Sequence, residues 1–141
     1  MTSSNLELVK SIASAWERGD FSSAEWAHPD IDFVIAEGPS PGSWTGPAGM
    51  AEGFRGWLSA WDEWRNEVNG YLEIDGERVL VLLDATARGK TSGVDIARMG
   101  GSKGAALLHL HDGKVTRLVV YWNRDRAFAD LGLPPDASPH S

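Results

Sequence analysis

The chain of 141 residues has no cysteine. This excludes disulfides and thiolate metal centres and makes a reducing compartment, the cytoplasm, the expected location. Positive charge is scarce. Thirteen Lys and Arg against 20 Asp and Glu leave a net charge of −7, the opposite of what phosphate-backbone binding requires, so nucleic acid is not an expected partner. No uninterrupted apolar run approaches the ~20 residues of a membrane span. The N-terminal MTSSNLELVKS lacks the basic and apolar regions of a signal peptide, so no membrane association is expected either. Internal repeats and linker-like stretches are also missing. Residues 1–133 read as one domain, and residues 134–141, PPDASPHS, as a flexible tail.

Tryptophan is abundant, with seven residues in the chain. Two readings stay open: a core built from large rings, or an aromatic-walled cavity for a small hydrophobic molecule. Ser4 and Glu7 have capping-box spacing, and Leu6, Val9, Ile12, Ala13 and Trp16 follow at helical period. Asp20 is placed to cap a short second helix carrying Phe21, Ala24 and Trp26, which His28-Pro29 would end. A strand is expected from Ile31 to Glu37, then a loop from Gly38. Pro47 suits the first turn of a third helix, with Met50, Phe54, Trp57, Leu58 and Trp61 on one face.

The remainder reads as strands. They span Arg65–Ile74, Val79–Arg88, Ala105–His111 and Val115–Asn123, with a short one at Val94–Arg98 and tight turns at Asp75-Gly76 and Asp112-Gly113. Phe128, Leu131 and Leu133 are expected to fold back as a C-terminal cap. The element order predicts an α+β domain, a curved antiparallel sheet covered on its concave side by three N-terminal helices. Such a cone leaves a hollow, either filled by side chains or open to a ligand.

The order and punctuation of the chain resemble the nuclear-transport-factor-2-like superfamily, a cone-shaped, cystatin-like α+β barrel. The nearer resemblance is to its SnoaL-like and ketosteroid-isomerase-like branch. It is carried by the first helix ending in RGD, by HPDIDFVI, the loop closing on WTG, DGERVLVLL and HDGKVTRLVVYWNRDRAFADLGL. The resemblance implies that Glu37 is the general base, because the isomerases place an aspartate at the end of the first strand, nine residues before a glycine. Here Glu37 stands nine residues before Gly46. A carboxylate at the mouth of an apolar cone is partly desolvated, which moves its pKa up towards working pH. At the positions of the isomerases' oxyanion donors, a tyrosine and a protonated aspartic acid, this chain has Ile12 and Ala106, which donate nothing from their side chains. Asp84 and Arg88, with Asp125, loosely resemble the acid–arginine set of limonene-epoxide hydrolases. Asn123 or Asp125 falls where SnoaL-type cyclases carry an acidic residue. No cofactor is implied.

The candidate catalytic residues are therefore Glu37, Asp84 and Asn123. The expected cavity lining is Trp16, Phe33, Trp44, Phe54, Trp57, Trp61, Leu108, Leu118 and Trp122, with Trp44 either a plug or a lid. Asp84 shares strand parity with Leu80 and Leu82. Inward it would be a buried carboxylate and a site candidate; outward it would pair with Arg88. His109, His111, Arg117 and Tyr121 fall on the strand face opposite the apolar set and are expected at a homodimer interface. A metal site at His109, His111 and Asp112 is disfavoured, since no third ligand is in view beyond this spacing. The expected function is a cofactor-free isomerase or cyclase moving a proton on a small hydrophobic carbonyl compound. The alternative is a non-catalytic small-molecule binder or accessory dimerisation domain, and the sequence leaves open whether the protein is an enzyme.

Overall fold

The computed structural model describes residues 4–18, 25–36, 42–58, 61–75, 77–89, 102–121 and 123–133. In chain order the elements are α1 (Ser4–Glu17), β1 (Ala27–Ile35), β2 (Gly42–Thr45), α2 (Gly46–Leu58), β3 (Trp61–Glu73), β4 (Arg78–Gly89), β5 (Ser102–His111), β6 (Lys114–Tyr121) and α3 (Arg124–Leu131). The six strands form one curved, unclosed sheet in the order β2-β1-β6-β5-β4-β3. Phe21–Ala24, Val94–Arg98 and the tail 134–141 lie outside the described residues.

Four strand pairs are antiparallel, as expected, and β1 with β6 is parallel, so the sheet is mixed. The meander from β3 to β6 ends with β6 running alongside β1, and that direction follows from the strand count. The register slips in β1 between Ala27 and Asp32, in β3 between Trp61 and Glu63 and between Val68 and Gly70, and between β5 and β6 beside His109. Each slip adds local twist and bends the sheet.

The helices divide between the two faces. α1 packs on β3 and β4 and α2 on β1 and β2, whereas α3 packs on β5 and β6. The inner face carries Ile31, Phe33, Ile35, Val79, Val81, Leu83, Ala106, Leu108, Leu110 and Leu118 with Val9, Ile12, Trp16 and Met50 of the two N-terminal helices. The outer face carries a second apolar layer, Leu72, Leu80, Leu82, Ala105, Leu107, Val119 and Tyr121, with Ala127 and Phe128 of α3 packed on it. The C-terminal segment is therefore the third helix, on the opposite side from the other two. Asn123 is its N-cap, accepting from the Asp125 N–H at 2.9 Å, and Gly132 ends it in the left-handed region at φ 70°.

Two short connections position the edge of the sheet. Gly46 has φ 80°, which lets β2 turn directly into α2 without a loop. Asp112 and Gly113, both at positive φ (52° and 75°), form the tight turn expected between β5 and β6.

Candidate functional site

The inner face is ordered in cross-strand rows. Phe33, Leu118, Leu108 and Val79 stand side by side in one row; Ile35, Val120, Ala106, Val81 and Tyr71 in the next; Gly104, Leu83 and Val68 in the third. Along β5, at the middle of the sheet, the inward residues are Leu110, Leu108, Ala106 and Gly104. Their bulk falls stepwise towards the end where β1 and β6 finish. Leu108 is fully buried and Ala106 is 1% exposed. In the lower rows Val68 and Val120 are only partly buried, as are Phe54 and Trp44 beside Phe33. The taper removes side-chain volume from the sheet centre while apolar surface stays partly exposed around it.

A belt of rings closes the other side. Trp26 meets Trp16 edge-on at 6.5 Å between centroids, Trp16 meets Phe54 at 6.4 Å, Phe54 meets Phe33 at 4.6 Å, and Phe33 meets Trp44 at 5.7 Å. The belt runs from α1 through α2 to β1 and β2, and its spacings lie within the favourable range for aromatic pairs. Trp44 is seated among glycines. A Cβ on Gly42 would come 2.9 Å from its Cη2, one on Gly49 3.2 Å from its Cβ, and one on Gly53 2.9 Å from its Cε3. A side chain held on three sides is a fixed wall, and of the plug and lid roles this supports the plug. The spacing of Gly42, Gly49 and Gly53 was the available sequence signal for this seat.

The expected lining residues fall into three groups. Phe33, Leu108 and Leu118 are fully buried and Trp16 is 5% exposed, all within the inner core. Phe54 and Trp44 are partly buried and packed against that core. Glu37 and Trp122 lie outside the described residues, as do the side chains of Trp57 and Trp61, whose backbones belong to α2 and β3.

Asp84 is on the outer face. It shares the parity of Leu80 and Leu82, both in the layer beneath α3, and stands opposite Lys103. It is separated from the inner layer by the sheet. Its field acts on Arg124, whose pKa burial lowers while Asp84 and then Asp125 raise it. The expected alternative partner, Arg88, has its side chain outside the described set. Asn123 is exposed and spends its side-chain oxygen on the α3 cap.

The four expected interface residues also divide. Tyr121 is 6% exposed within the single chain, covered by α3, and its hydroxyl donates to Asp130 Oδ2 at 3.2 Å. Within the single chain the C-terminal helix covers the sheet face on which Tyr121 stands. His111 and Arg117 are exposed, and His111 Nε2 is 3.3 Å from Asp112 Oδ2. His109 is half-buried, directly between Arg78 of β4 and Arg117 of β6. Desolvation first, then the fields of Arg117 and Arg78, hold its pKa below the ordinary value. With Asp75, Glu77 and Arg78 it lines a depression on the outer face. Among the described residues no group of three or more His, Cys, Asp and Glu side chains is arranged to hold a metal ion. No described helix is long and apolar enough to cross a membrane.

The profile of the SnoaL-like domain matches residues 9–118. The chain belongs to this family. The SnoaL-like match covers both N-terminal helices and the sheet as far as Leu118. Solved structures share the fold at low identity. One is TerC co-crystallised with polyporic acid, 23% identical with a TM-score of 0.68, covering 92% of this chain and 98% of that one. Another is an NTF2-like protein of unknown function from Burkholderia pseudomallei, 18% identical with a TM-score of 0.74, covering 91% and 97%. A third is a putative SnoaL-like polyketide cyclase from Mesorhizobium loti, 18% identical with a TM-score of 0.62, covering 86% and 99%. Comparison with the curated proteins gives no match. At these identities the likeness speaks for the fold, which hosts many activities.

Proposed function

We propose that this SnoaL-like protein holds a small hydrophobic carbonyl compound in the tapered hollow and moves a proton beside its carbonyl, as an isomerase or cyclase does. The observation that carries this reading is the stepwise loss of bulk along β5, Leu108 to Ala106 to Gly104, beneath a partly exposed apolar rim of Val68, Val120, Phe54 and Trp44. Glu37, two positions beyond Ile35 in the sequence, is the base we assign. An apolar surround would favour its neutral form and poise it for proton transfer near neutral pH. Resemblance to a family of polyketide-cyclase-like structures supports the same substrate class.

The test is a thermal-shift screen against steroids, flat aromatic polyketides and terpenoid epoxides. A ligand at ~100 times its Kd adds about 2.7 kcal/mol, a shift of several degrees for a domain of this size. Ala106→Leu refills the taper and should abolish the shift. Glu37→Gln should keep the shift and lose turnover. A shift without turnover in either form would make the protein a binder. Failure of every ligand class to stabilise it would leave an accessory domain with a closed core. The reading includes a homodimer formed through the exposed part of the outer face around His109, His111 and Arg117, to be checked by light scattering of the purified chain.

A further inference from the structure

The bulge in β3 is gripped from both faces of the sheet. Val68 pairs with Leu83 and Gly70 with Leu82, so Asn69 is the extra residue. On the inner face, the N–H of Val68 donates to Glu17 Oε2 at 3.0 Å, and Glu17 is the last residue of α1. On the outer face, Nη2 of Arg124, the first residue of α3, donates to Asn69 Oδ1 at 2.7 Å and to the Leu83 carbonyl at 2.9 Å. Two consecutive residues of one strand are thus held by helices on opposite sides. The Arg124 contacts reach Leu83 and, through Asn69, the neighbour of its partner Val68; the side chains of Val68 and Leu83 pack in the inner layer.

Arg124 is committed to this task at a cost. Its Nε is buried and has no hydrogen-bond partner among the described residues. A buried unsatisfied donor on a charged group is unfavourable and persists where the surrounding contacts over-determine the side chain. A bulge is also the place where a strand is most easily re-aimed. Val68 is at the rim of the hollow, so a change at Asn69 is transmitted one residue along the backbone to that rim.

The geometry points to Arg124 as a positioning residue that acts through the β3 bulge: the C-terminal helix fixes the Val68 rim of the hollow and the seat of α1 from the far side of the sheet. Glu17 and Arg124 do not touch, yet they are coupled through Val68 and Asn69. This holds whether or not Glu37 is a base, because it concerns the chain alone.

Amide hydrogen exchange, followed residue by residue by NMR on the full chain, tests it. Asn69→Ala removes the outer bond to the bulge residue at an exposed position while leaving Arg124 and its bond to the Leu83 carbonyl in place, so the fold is retained. It should speed exchange of the Val68 amide at least about tenfold, as should Glu17→Ala, whereas Arg124→Lys, which keeps one donor, should lose only part of the protection. The double variant Asn69→Ala with Glu17→Ala should fall short of the product of the single effects by more than about twofold, the signature of coupled sites. Val68 exchange unchanged within about twofold in Asn69→Ala, or single effects that multiply without shortfall, would overturn the proposal and leave Arg124 as an anchor of α3 only.

Discussion

Gly53 lies under the ring of Phe33 so closely that a methyl group on its Cα would come 2.7 Å from Cε2. That distance is shorter than any real contact, and the Trp44 ring 2.9 Å away blocks retreat. Alanine at a helix interior is favoured over glycine by about 1 kcal/mol, but overpacking a tight core costs about 1–3 kcal/mol. Gly53→Ala should therefore lower the melting temperature. Gly56, on the same helix, has nothing within 4 Å of its would-be Cβ and is exposed. Gly56→Ala should raise stability by about 0.4–1 kcal/mol. Urea denaturation of the two variants reads the opposite signs directly.

Tyr121 should make stability fall in strong alkali. Burial first, then the Asp130 carboxylate, keeps its hydroxyl protonated above the ordinary value of 10.0. The unfolded chain ionises first, so stability is fully present below pH ~10 and declines as pH rises from there towards the folded-state value. Tyr121→Phe should remove this component and cost about 0.5–1.5 kcal/mol at neutral pH for the lost bond to Asp130. A pH series of denaturation midpoints for the two proteins checks both effects.

His109 gives the opposite slope on the acid side. Its folded-state pKa is below the ordinary 6.5, so the unfolded chain takes up the proton first as pH falls. Stability is complete above about pH 6.5 and is lost on descending from there through the folded-state value. His109→Gln should flatten the melting-temperature profile between pH 7 and 5. An unchanged slope would assign it to other groups.

Asn123 separates a structural from a chemical role. Asn123→Ala removes the α3 cap and should cost about 0.5–2 kcal/mol, whereas Asn123→Asp keeps a capping oxygen and should retain stability. Any ligand found by the screen should bind the Asp variant unchanged if the cap is the residue's whole contribution.

Much of the fold was legible because its elements obey one period each. Val9, Ile12, Ala13 and Trp16 mark α1, and the alternating residues of β5 and β6 mark which face meets α1 and α2. The Asp112-Gly113 turn was visible from its residue types. β2 was hidden, because GPSPGSWTG reads as loop chemistry, yet Trp44 pairs with Phe33 on a four-residue edge strand. His28-Pro29 resembled a helix end, but β1 already begins at Ala27, and the proline sits where the register with β6 slips. Asp84 could not be assigned a face from period alone, because β4 is apolar on both sides, with Val79, Val81 and Leu83 inward and Leu80 and Leu82 outward. The short, polar α3 carried too weak a pattern to announce that it covers the outer face. The taper of β5 was present in the letters GAALLHL, but its meaning depends on the neighbours that the register supplies.

The parallel seam between β1 and β6 also governs when the protein can become whole. Residues 27–35 leave the ribosome long before their partner 114–121. Until then Ile31, Phe33 and Ile35 have the helices and the narrow β2 hairpin to shelter them, but not their β6 neighbour. The seam joins the chain's most distant strands, and pairings of such long range form late and slowly. The nascent chain must therefore carry an exposed apolar strand through most of its synthesis, which makes this seam the step most open to aggregation and to rescue by chaperones.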